Sequence, residues 1–136
     1  MKLLHSFLLI ILGCLASCTD MYDPLLWKSG SFTLEFVDSP ENASLRSDST
    51  LEHVIPASVF EVGANETYIV AKQRPRRNRS IINYFYINTR EFPKTGRFNP
   101  SHYVVGPLTE TEFTKKSEEL QLPAFSYSIA QVKGNG

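Results

Sequence analysis

The sequence predicts an α+β domain: a mostly antiparallel sheet of about five strands with one C-terminal helix packed on it. Three observations carry this expectation. From Ser31 onward apolar residues alternate with polar ones, Phe32, Leu34 and Phe36 against Thr33 and Glu35, and period two lines one face of a strand. Two longer extended segments, 67–74 and 81–88, flank a six-residue connection at 75–80, which suits antiparallel neighbours joined as a hairpin. After Pro107 the period lengthens, and Thr109 with Glu112 three positions later makes the capping-box pattern of a helix start.

Taken in order, residues 19–29 (TDMYDPLLWKS) read as a tether. Asp20, Asp23 and Pro24 oppose regular structure there, and Leu25, Leu26 and Trp27 are expected to dock on the core. The strand around Phe32–Phe36 follows, and 38–50 (DSPENASLRSDST) is rich in turn formers and charge, hence a loop. Residues 51–55 form a short strand ended by Pro56, and 59–62 another, stopped by Gly63-Ala64-Asn65. In 81–88 both faces are apolar, with Ile82, Tyr84 and Tyr86 on one and Ile81, Phe85 and Ile87 on the other. Such a strand belongs inside a sheet covered on both sides. A long polar loop, 89–101, carries Pro93, Gly96 and Pro100, and the strand at 103–105 is cut by Gly106-Pro107.

The helix is expected from Glu110 to Leu120. Glu110 and Glu112 occupy its first turn and Lys115 and Lys116 lie further along, the order that the helix dipole favours. Phe113 and Leu120, seven apart, share a face that should lie on the sheet. Pro123 forbids continuation. The organisation expected is therefore a signal at 1–17, a tether at 18–29, one domain at 30–125 and a flexible tail at 126–136.

The amino-terminal segment carries the strongest functional signal. Lys2 precedes an apolar stretch, and small residues lead into cysteine in Leu15-Ala16-Ser17-Cys18. This is the pattern of a secretory signal peptide, and its end resembles the lipobox of bacterial lipoproteins, which places the acyl chains on Cys18. Cys14 competes, but Leu12 stands where a small residue is preferred. An ordinary cleaved signal is the alternative. A spanning anchor fits poorly, because 3–16 is shorter than the roughly 20 residues a spanning helix needs. With 1–17 removed, Cys18 is the mature chain's only cysteine. No disulfide and no cysteine metal site is then expected, and stability rests on packing. Sequons at Asn42, Asn65 and Asn78 are chance matches in a bacterial protein, and Asp48-Ser49-Thr50 resembles a short bacterial O-glycan acceptor.

Charge is unevenly distributed. Residues 18–66 hold nine acidic and two basic side chains, net −7, whereas 67–106 hold one and eight, net +7. Part of this should cancel across the sheet. The cluster Arg74, Arg76, Arg77 and Arg79 at the 75–80 tip is the candidate site, for contact with phosphates of lipid headgroups or another polyanion. A solvated hairpin end that deters edge-to-edge aggregation is the structural alternative. Nucleic acid is not expected, because the mature chain is near neutral. The aromatic run Tyr84, Phe85 and Tyr86 reads as core rather than a ligand platform. His53 and His102 lie on separate segments with no acidic partner at ligand spacing, and no catalytic or phosphate-binding motif occurs. No catalytic residue, metal or cofactor is assigned.

The segments I-P-A-S-V-F, E-T-Y-I-V-A-K-Q-R-P, I-N-Y-F-Y-I-N and G-P-L-T-E-T-E-F-T-K-K-S-E-E-L, in this order, resemble small bacterial lipoproteins grouped under a domain of unknown function. The resemblance spans roughly residues 27–125 and departs at the 89–101 loop and the arginine-rich tip. It implies lipidation at Cys18 and supplies no catalytic residue. The expected function is a lipid-anchored, non-enzymatic interaction module of the envelope, facing periplasm or exterior. Its partners are the membrane, through the acyl chains, and an envelope protein or polyanion. An inhibitor-like or immunity-like lipoprotein that holds a toxin or enzyme is the second reading, and an envelope hydrolase the third.

Overall fold

The computed structural model describes residues 23–130, and these include nine strands, two short 3-10 turns and an 11-residue α-helix. The class is α+β, but the strands form two antiparallel sheets rather than one. β1 (Leu25–Ser29), β2 (Phe32–Glu35), β3 (Ser44–Ser47) and β4 (His53–Ile55) make a four-stranded sheet in sequence order. β5 (Val59–Ala64), β6 (Tyr68–Gln73), β7 (Asn83–Asn88), β8 (Val104–Leu108) and β9 (Tyr127–Ser128) make a five-stranded sheet ordered β8-β7-β6-β5-β9. The helix expected after Pro107, α1 (Glu110–Leu120), has the expected bounds.

The extra sheet comes from segments whose composition conceals strands. Residues 25–29, expected in the tether, pair with β2 as an antiparallel hairpin. Its two-residue turn uses Gly30 at φ +57, the positive φ that tight hairpins require. Ser44 and Ser47, expected in a loop, belong to β3 and flank Leu45, which is fully buried. Serine advertises turns because its hydroxyl competes for backbone groups. Here those hydroxyls are engaged, Ser44 Oγ at 2.8 Å from His53 Nδ1 and Ser47 Oγ accepting from Ser49 N–H at 3.2 Å.

The two sheets pack face to face. Leu34 and Leu45 from one meet Val62, Ile69, Ala71, Phe85 and Ile87 from the other, as in a sandwich. On β6 and β7 the alternate residues Val70 and Tyr84 turn to the opposite face and meet Phe113 of α1 and Leu122. The expectation that 81–88 is covered on both sides is thus met, with a sheet on one face and the helix on the other. A bulge between Val59 and Glu61 brings Val59 and Val62, three apart, onto the same core face.

α1 starts at the capping box read from the sequence. Thr109 Oγ1 accepts from Glu112 N–H at 3.2 Å, and Glu112 Oε2 accepts from Thr109 N–H at 2.8 Å. Phe113 is its one buried residue, with ring centroids 5.1 Å from Tyr84 and 5.6 Å from Phe125. Phe113→Ala should therefore lower stability by about 3–5 kcal/mol, the usual range for a buried phenylalanine. Urea unfolding followed by circular dichroism measures it, and a loss below about 1 kcal/mol would show that α1 is held elsewhere.

Two further expectations are corrected. Gly63 does not stop β5, which continues to Ala64, because a residue without Cβ lets the 122–126 segment cross at close range. The tail does not begin at 126. Ser126 N–H donates to Val62 O at 2.9 Å, Tyr127 and Ser128 pair with Val62 and Glu61, and Ile129 is buried. β9 covers the edge that β5 would otherwise expose. In the 89–101 loop, Phe92 is buried against Phe32, Phe98 and Tyr103, so this polar stretch also contributes an aromatic plug to the core.

Candidate functional site

The arginine tip is carried by the β6–β7 hairpin, whose ladder ends at Gln73 opposite Asn83. The base is locked by side chains: Asn83 Nδ2 donates to Gln73 Oε1 at 3.1 Å, and Gln73 Nε2 donates to Pro56 O at 2.8 Å. Beyond it Asn78 organises the turn. Its N–H donates to Pro75 O at 3.1 Å, and its Oδ1 accepts from Ser80 N–H and hydroxyl at 3.2 and 2.6 Å. The connection runs over 74–82, longer than the 75–80 expected, because Ile81 and Ile82 lie outside the ladder.

Arg74, Arg76, Arg77 and Arg79 are all exposed, yet they do not act as one patch. Arg74 folds back, its guanidinium carbon 4.8 Å from the Phe60 ring centroid and its Nη1 donating to Arg79 O at 3.2 Å. Arg74 and Arg79 line one cavity, beside the start of β5 and the end of β9. Arg76 instead lines a cleft of about 280 Å³ with Glu35, Phe36, Asp38, Arg46 and His53. Sequence spacing could not separate these directions, because the turn geometry sets them.

The cleft beside Arg76 has mixed charge. Arg46 Nε lies 3.9 Å from Glu35 Oε2, and Arg46 Nη2 donates to Leu51 O at 3.0 Å. The Asp38 carboxyl is held below the ordinary carboxylate range by the Ser39 N–H at 2.8 Å, then by the Asn42 amide at 2.9 Å, with a small contribution from the Arg76 charge. Ser44 and His53 meet in the same cleft, but Ser44 is buried in β3 and no carboxylate among the described residues reaches His53. His102 lies elsewhere, in a groove with Tyr68 and Tyr86. Among the described residues, no three His, Cys, Asp or Glu side chains converge as metal ligands.

Other candidates also find their places. Tyr84 and Phe85 are buried, so the aromatic run packs the core. Lys72 bridges the acidic and basic halves of the chain. Its Nζ is 3.0 Å from Glu61 Oε2 across β5 and β6, and 4.5 Å from the Phe125 ring centroid. Asp48-Ser49-Thr50 follows β3, with Thr50 Oγ1 accepting from Glu52 N–H at 3.2 Å. Cys18 lies outside the described residues. Ser58 and Phe60, which line the cavity with Arg74, carry no sequence signal: a serine after Pro-Ala reads as a turn and a phenylalanine beside valine reads as core.

No helix of the described residues is long and apolar enough to cross a bilayer. No curated protein and no solved structure matches the chain. A family model described as protein of unknown function DUF3997 matches residues 36–127, which runs from the residue after β2 through the first residue of β9 and takes in β3 to β8, the arginine tip and α1, with β1 and β2 outside it. The chain therefore belongs to the DUF3997 family of proteins of unknown function.

Proposed function

We propose that this chain is a bacterial envelope lipoprotein, anchored through acyl chains on Cys18, whose domain is a non-enzymatic interaction module. The observation that carries this reading is the tetrapeptide Leu15-Ala16-Ser17-Cys18 behind a short apolar segment. Two or more acyl chains are needed for stable anchoring, and a lipidated amino-terminal cysteine supplies them. β1 begins seven positions after Cys18. An extended chain spans at most about 3.6 Å per residue, so the anchor holds the domain within about 25 Å of the membrane surface.

The placement of Arg76 supports the same reading. Pro24 O accepts from Phe36 N–H at 3.2 Å, so the chain arrives from the anchor alongside Phe36. That residue shares its cleft with Arg76. The anchored end of the domain thus presents Arg76, with Arg77 next in the turn. Guanidinium groups bind phosphate and carboxylate oxygens in pairs, which suits an acidic protein or a polyanion of the envelope. Crosslinking in native membranes should yield an adduct with the natural chain and lose it with Arg76→Glu plus Arg77→Glu. An adduct that survives both changes would remove the tip from the contact.

A further inference from the structure

We infer that the cavity beside the start of β5, the end of β9 and the base of the arginine tip is a binding site for the carboxylate of a small apolar acid. The cavity has a volume of about 390 Å³, at the small end of the range for ligand sites. Its polar lining combines Ser58 and Ser128 with Arg74, Arg79, Glu41 and Glu61, and Phe60, Ile129 and Ala130 give it apolar wall.

Ser58 is the observation that points to a ligand. It is 4% exposed, and its Oγ is the one buried side-chain polar atom among the described residues with no hydrogen-bond partner. A buried hydroxyl without a partner opposes folding, and native proteins satisfy nearly all such groups. Alanine would fill the same place without this penalty. The backbone at Ser58 is fixed beside Arg74. Ser58 N–H donates to Arg74 O at 3.2 Å and Arg74 N–H to Ser58 O at 2.9 Å, so this pair extends the β5–β6 ladder, and both residues line the cavity.

Arg74 is prepared for a ligand before one arrives. Phe60 supports the guanidinium at 4.8 Å, and its bond to Arg79 O occupies one donor, leaving others of the five for an oxyanion. Holding the side chain in advance lowers the entropy cost of binding. Charge selects the anion. Glu61 also lines the cavity but is paired with Lys72 at 3.0 Å. Glu41 lines it too, and among the described lining residues Arg74 and Arg79 exceed Glu41 by about one positive charge. A singly charged carboxylate matches this, whereas a phosphate dianion would leave one negative charge uncompensated beside Glu41. The Ser58 O–H donates to the carboxylate, and the apolar body lies against Phe60 and Ile129.

The test is thermal unfolding of the purified full chain with hexanoate, hexyl phosphate, hexanol or inorganic phosphate, and with oleate held in neutral vesicles. Hexanoate should raise Tm saturably, and the other soluble compounds should not. Ser58→Ala should raise Tm without ligand and weaken hexanoate binding at least tenfold. Arg79→Gln, an exposed change that leaves the fold alone, should weaken it comparably. A response to vesicle-held oleate without one to hexanoate would keep the carboxylate chemistry and place its source in the membrane. Equal responses to hexanol, tighter binding of hexyl phosphate, no response to either carboxylate, or unchanged binding in both variants would overturn the site.

Discussion

Gly63→Ala is expected to destabilise the domain by about 3 kcal/mol or more and to lower its midpoint by roughly 10 °C. Gly63 is buried in β5, paired with Val70. A Cβ built on it would run into the carbonyl oxygen of Ala124, with the Ala124 carbonyl carbon at 3.0 Å and Phe125 Cα at 3.1 Å. Every one of these obstacles is backbone, so no side chain can rotate aside. Nor can the crossing segment retreat freely. Ser126 N–H is bonded to Val62 O, Leu122 and Ile129 are buried, and β9 is paired with β5. Relief would require detaching β9 or pushing Phe125 away from Tyr84 and Phe113. Gly30→Ala is the control. It has nothing within 4 Å of a new Cβ and carries only the strain of φ +57, about 1–2 kcal/mol. Thermal and urea unfolding of the two variants should rank Gly63→Ala well below Gly30→Ala. Equal midpoints would mean that the 122–126 segment does not cross β5 as described.

The same crossing explains why parts of the fold were legible in the sequence and others were not. β2, β6, β7 and α1 declare themselves locally. Phe32, Leu34 and Phe36 keep period two, the 81–88 segment is apolar on both faces, and Thr109 with Glu112 caps the helix. Each signal lies within a few residues of the element that it marks. β1, β3 and β9 depend on the strands that pair with them, near in sequence for β1 and β3 and distant for β9. Leu25–Ser29 is a strand because β2 folds back on it, Ser44 and Ser47 are strand residues because β2 and β4 flank them, and Tyr127–Ser128 is a strand because β5 has an edge to cover. Composition then misleads, since serine and aspartate mark turns whether or not a neighbouring strand claims them. Gly63 is the sharpest instance. A glycine in an extended run reads as a stop, but here it marks close passage of another backbone.

The candidate site follows the same division. Four arginines within six residues are visible in the sequence, and their charge is real. Their division is not visible. Arg74 turns back onto Phe60 and shares a cavity with Arg79, whereas Arg76 opens onto the cleft that holds Phe36, whose N–H is bonded to Pro24 O. Electrostatic counting therefore identifies the residues but merges two surfaces into one. Ser58 is silent in the sequence because its importance lies in a missing hydrogen bond, which only packing defines.

The proposed anchor organises the functional reading. A short tether, a domain that meets it at the β1–β2 hairpin, and an arginine at that same end make sense together if the chain is held at a membrane by Cys18. Metabolic labelling with an alkyne fatty acid in a bacterial host tests this most directly, using the natural chain, Cys18→Ser and Cys14→Ser. The natural chain and Cys14→Ser should carry label and migrate as the form cleaved after Ser17. Cys18→Ser should carry none and keep its signal. Label that persists in Cys18→Ser and vanishes in Cys14→Ser, or label absent from the natural chain, would contradict anchoring at Cys18.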